Sequence, residues 1–256
     1  MIKRIAYDFL HLGNQVLELV IFLFFVLTLG IGGYAVWDNQ QIYQHADASL
    51  YDEYCPTEKT KAGFEELQAR NPEIRGWIRI DGTEISYPVV QGEDNYKYVN
   101  KDAVGKDSLS GSIFMDYRNA ADFSDPNTIL YGHHMAKDTM FGELDKYTDF
   151  SFFESHRTGG LYDGTAWHDV AFVAFLQADA YDPIVYDGKL ETIGGTEAFS
   201  SWLQAHARYW KWDGITGDGY FLTLSTYWAY SPRIRHFRGI LSSVYVRFYE
   251  IASIFL

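Results

Sequence analysis

The chain of 256 residues contains a single cysteine, Cys55. An internal disulfide is therefore excluded, and so are zinc sites built from several thiolates. Basic residues are also in short supply: 21 Lys and Arg against 34 Asp and Glu leave a net charge of −13. A nucleic-acid partner needs a positive field, so that class of function is excluded too. There is no internal repeat, glycine-rich phosphate loop, metal-binding helix pattern or low-complexity tract. Neither a cofactor nor a metal is expected. What is abundant is aromatic residues, at 18% within an apolar content of 47%. That composition suits a β-rich core of ordinary globular size, in one large domain or two small ones.

Charge is missing from one further place, the run from Leu19 to Trp37. At about 1.5 Å per residue, a helix of this length nearly spans the roughly 30 Å hydrocarbon layer of a membrane. Lys3 and Arg4 precede it and Asp38, Asp47, Asp52 and Glu53 follow, which places the N-terminus inside and the bulk of the chain outside. Tyr34 and Trp37 suit the outer interface, and Glu18 the inner edge. A cleaved signal peptide is the competing reading, but its apolar core usually runs only about 7–15 residues, and no A-x-A site closes this run. The expected organisation is a short inner segment 1–18, a membrane span 19–37, a stalk 38–60, a globular domain 61–249 and a tail 250–256.

Beyond the polar, aperiodic stalk, Lys61 to Arg70 has a helical pattern that Asn71-Pro72 ends. Alternation then predicts strands at 77–80 and 85–90 around an Asp81-Gly82 turn, and at 111–116 and 128–133. Residues 140–147 and 152–156 read as short helices, 167–177 as a long apolar strand and 196–209 as a helix. Strands at 220–226 and 234–246 close the series. Such a succession suggests a mainly β barrel with helical insertions.

Several blocks carry a family resemblance: Asn71 to Gln91, Gly111 to Met135 with its Y-G-H-H-M, Met140 to Tyr147, and Phe221 to Thr226 (F-L-T-L-S-T). In this order and spacing the chain resembles the class B sortases, membrane-anchored cysteine transpeptidases of Gram-positive bacteria. The resemblance implies a closed eight-stranded β-barrel, with 196–209 as the extra helix typical of class B. It also implies a reaction: thiolate attack on a sorting-signal peptide, an acyl-thioester, and transfer to an amine of a cell-wall peptidoglycan precursor.

The family's site is a His, a Cys and an Arg. The histidine after Y-G lands on His133, with His134 a neighbour without a chemical role. The arginine, on the strand after the cysteine, lands on Arg235, with Arg233 the alternative. The cysteine after T-L-S-T lands on Tyr227. Ser225, Thr226 and Tyr131 stand beside these positions as candidate substrate-binding residues, with local hydrogen bonding the bland reading of the two hydroxyls on Ser225 and Thr226. Trp228 and Tyr230 read either as groove lining or as strand-end packing.

A phenol titrates near 10 against about 8.5 for a thiol, so its anion is roughly thirtyfold scarcer at neutral pH. Its oxygen also lies about 4 Å further from the backbone than a cysteine sulfur. The expectation is a catalytically impaired homologue that keeps a peptide-binding groove. Two alternatives stand beside it: an active transpeptidase, through the Tyr227 phenol or with residue 227 misread, and a non-enzymatic surface scaffold.

Overall fold

Apolar residues after position 74 come in alternating or continuous short runs, and these become the strands of one curled sheet. A computed structural model of the chain describes residues 2–179, 182–212, 220–227 and 240–248, with backbone alone at 2–9, 227 and 240–248. The chain divides into two compact units between Gln44 and His45. The first is carried by the helix α1 (Ile2–Ala46). Leu19, Phe22, Phe25 and Leu29 are all exposed on it, and it is long and apolar enough to cross a membrane.

The second unit holds strands β1 (Ile74–Ile80), β2 (Ser86–Val90), β3 (Ile113–Met115), β4 (Asn127–His133) and β5 (Thr158–Tyr162). It continues with β6 (Trp167–Asp179), β7 (Tyr209–Trp210), β8 (Tyr220–Tyr227) and β9 (Ile240–Phe248). Their order across the sheet is β5-β1-β2-β3-β4-β8-β9-β6-β7, and β5 also pairs with β6. That last seam joins only 158–162 to 167–171, while β7 takes part of the remaining edge of β6. The sheet is therefore a curled, partly open one of nine strands, which corrects the expectation of a closed eight-stranded barrel.

Successive residues of a strand face opposite ways, and here both faces are covered. Ile78, Phe172 and Leu222 join the cluster inside the curl, with Tyr87, Met115, Leu130 and Phe141. Their chain neighbours turn outward: Trp77 meets Phe64 and Leu67 of α2 (Ala62–Arg70), and Val173 and Phe221 meet Phe199 and Leu203 of α4 (Thr196–His206). Each such large side chain, fully buried, contributes about 1.5–3 kcal/mol. Two short helical pieces, the 3-10 turn Gly142–Thr148 and α3 (Phe150–Ser155), follow β4. Asp149 caps α3, its carboxylate accepting from the Ser151 and Phe152 amides.

The polar stretch 38–60, expected as a stalk, is structured. The helix α1 continues to Ala46 and a 3-10 helix covers Ala48–Tyr54. The Tyr87 hydroxyl donates to Ala46 O at 3.0 Å and Trp167 Nε1 donates to Pro56 O at 3.1 Å. The segment leading into the sheet is thus laced to it.

Candidate active site

The site is built where two parallel strands run side by side. β4 and β8 pair rung by rung, from Asn127 opposite Phe221 through Tyr131 opposite Ser225 to His133 opposite Tyr227. Adjacent strands lie about 4.8 Å apart. His133 and Tyr227, both singled out by sequence, therefore stand on one rung, the last that the two strands share. Arg233 and Arg235 lie outside the described residues, as do Trp228 and Tyr230.

His133 is half-buried, and its Nε2 donates to Val99 O at 2.7 Å. Its own carbonyl accepts from Phe141 N at 3.1 Å, which fixes the turn that follows. His134, on the next position, bonds through Nε2 to Asp145 Oδ2 at 2.6 Å.

Two rungs before His133, on the same face of β4, stands a second polar group. Tyr131 donates its hydroxyl to Asp116 Oδ2 at 2.9 Å, and its ring stacks with Tyr186 at 6.1 Å between centroids. The Tyr186 and Ser225 hydroxyls are 3.1 Å apart. Asp116 also accepts from Asn95 Nδ2 at 3.0 Å and from Arg118 Nε and Nη2 at 2.8 and 2.7 Å. Burial works against the Asp116 charge, but Arg118, through guanidinium and amide, and Asn95 outweigh it and hold the carboxyl below its ordinary range. Burial first, then the Asp116 charge, pushes the Tyr131 phenol upward. Tyr131 is a neutral donor at any ordinary pH.

Thr226, on the intervening position, is buried and donates to Gly132 O at 3.1 Å, bracing β8 against β4. Asp116, Tyr186 and the Val99 carbonyl were not singled out from sequence. Asp116 is one carboxylate among many, Tyr186 sits in a turn-rich loop, and a backbone carbonyl leaves no trace in residue type. Among the described residues, no group of three or more His, Cys, Asp or Glu is placed to hold a metal.

Comparison with known proteins settles the family. Over 222 residues the chain is 30% identical to sortase B of Listeria monocytogenes, covering 86% of this chain and 90% of that protein. The chain belongs to the class B sortases. A 100-residue stretch is 45% identical to sortase B of Staphylococcus aureus. Among solved structures, sortase B from Bacillus anthracis in complex with AAEK1 matches with a TM-score of 0.68 at 31% identity, covering 83% of this chain and 97% of that one. A Staphylococcus aureus sortase B–substrate complex matches with a TM-score of 0.62 at 26% identity, covering 81% and 93%. No protein-family model matches the sequence. In this sortase the F-L-T-L-S-T block of the resemblance is β8 itself, and Y-G-H ends β4.

Proposed function

We propose that this chain is a membrane-anchored sortase homologue that retains the family's peptide-binding groove and has lost its thiol chemistry. The observation that carries the reading is the rung shared by His133 and Tyr227. It is the place where a base and a nucleophile of this family belong, and the residue there is a tyrosine. A misplacement of about 1 Å can cost a hundredfold in rate, and the phenol oxygen sits several ångströms beyond a cysteine sulfur. Removal of a nucleophile from a triad has cost on the order of a millionfold.

In this reading a sorting-signal peptide lies over β4 and β8, against Tyr131, Tyr186 and Ser225, with Thr226 holding the floor. That a Staphylococcus aureus relative is solved as a sortase B–substrate complex supports a substrate-binding groove in this fold. Arg235, or Arg233, holds the family's position for a cationic donor to a developing oxyanion, and a cell-wall precursor amine is the family's acceptor; both come into use only with a cysteine at 227. The apolar helix α1 anchors the chain by a single span, N-terminus inside.

The test is transfer of an NP-x-T-x peptide to hydroxylamine, by the chain as it stands and by Tyr227→Cys. Transfer by the cysteine variant alone is the expected result. Turnover by the unaltered chain would establish a phenolic nucleophile and overturn the reading. Absence of peptide binding by both would leave a surface scaffold.

A further inference from the structure

We propose that the Val99 carbonyl and Gly111 together dictate which nitrogen of His133 carries the hydrogen, leaving Nδ1 as the ring's proton acceptor. The inference rests on the reading of His133 as the site's base. Nε2 lies 2.7 Å from Val99 O. A carbonyl oxygen only accepts, so Nε2 holds a hydrogen and donates it. In the neutral ring the lone pair then belongs to Nδ1. Among the described residues Nδ1 has no hydrogen-bond partner.

The carbonyl is held rigidly. Val99 closes the 3-10 turn Lys97–Val99, and its amide donates to Tyr96 O at 3.2 Å. Residues 108–112 fold back onto this turn: Ser108 N donates to Asn100 O, Ser112 N to Tyr98 O and Ser112 Oγ to Lys101 O, at 3.0, 3.1 and 2.7 Å. Gly111 sits at the closest approach, with a φ of +61°. A Cβ there would fall 2.5 Å from Val99 O and 3.0 Å from His133 Cδ2. A glycine is required twice over, by the left-handed backbone and by the space.

The edge of the imidazole gripped by this loop carries Cδ2 and Nε2, and Nδ1 occupies the opposite edge. β3 leads directly from the loop along one border of β4, and β8 lies along the other border with position 227 on the rung of His133. Among the described residues, Nδ1 is therefore the nitrogen left to serve position 227. A thiol installed there passes its proton to Nδ1, giving a thiolate and an imidazolium whose Nε2–H stays on Val99 O. Neither Val99 nor Gly111 touches substrate in this scheme. They are positioning residues.

The decisive measurement uses the full-length chain in detergent micelles with 15N-labelled histidine, at a pH where the ring is neutral. The His133 signals are assigned by their loss in His133→Asn. The expected pattern is a protonated Nε2 and an unprotonated Nδ1; a protonated Nδ1 overturns the proposal. In the Tyr227→Cys chain, Gly111→Ala is expected to lower kcat about a hundredfold while KM stays within about twofold. Unchanged kcat would also overturn it. Should Gly111→Ala fail to fold, or Tyr227→Cys show no transfer, the nitrogen spectrum of the unaltered chain decides alone. In the second case, the reading of function fails separately.

Discussion

Asp116 keeps its charge almost wholly out of water, with 1% of its side chain exposed. Its lowered pKa has a consequence for stability. The contribution is complete above the unfolded carboxylate value of about 3.9 and disappears as pH falls through the lower folded-state value. Asp116→Asn is therefore expected to flatten the acid limb of stability, read as urea midpoints between about pH 7 and about pH 2. Tyr131→Phe leaves the same carboxylate one donor short. A hydrogen bond to a charged group is worth about 1.5–3 kcal/mol, so a destabilisation of that order is expected in urea unfolding at neutral pH. The same variant keeps the ring stacked on Tyr186 but takes a hydroxyl from the wall of the proposed groove, so peptide affinity, read by fluorescence anisotropy, is expected to fall as well.

At the scale of elements, Tyr87 on β2 has a reach out of proportion to its size. Its hydroxyl donates to Ala46 O and accepts from Met140 N, both at 3.0 Å. Burial pushes its pKa up to about 12, so it stays protonated and keeps both bonds. One phenol thus ties the segment before the sheet to the turn that follows His133. Tyr87→Phe is expected to cost about 1–3 kcal/mol in chemical denaturation and to raise amide exchange at 134–141 above that of β2 itself.

The elements themselves were legible to different degrees. The runs at 128–133 and 220–226 were plain as strands because their apolar residues repeat with the pleat, and the hairpin of β1 and β2 because Asp81-Gly82 marks its turn. β5 went unseen because Gly159-Gly160 reads as a breaker. In the sheet those glycines admit close neighbours: a Cβ on Gly159 would lie 2.3 Å from Arg79 O. The helical turn at 48–54 has no apolar period, since its order comes from the Asp47 cap and from contacts with Tyr87 and Trp167 rather than from its own pattern. Family resemblance pointed to positions 133 and 227, but that they share a rung is known only from the strand pairing, and the Val99 bond to His133 belongs to backbone geometry alone.

Over the whole molecule, the chain is acidic and carries one helix long and apolar enough to cross a membrane, which the proposed reading takes as its anchor. The expected outcome is retention in the membrane fraction after alkaline carbonate extraction, with protease added to intact cells digesting the chain beyond residue 45. Release into the supernatant would contradict the single-span anchor. The parallel pairing of β4 with β8 has a further implication for the history of each copy. Thr226 and Gly132, bonded across the two strands, are 94 positions apart in sequence. Contacts of such long separation are slow to form. A nascent polypeptide halted before Tyr220 holds its imidazole beside an empty berth, so the proposed site is assembled only once β8 has been made.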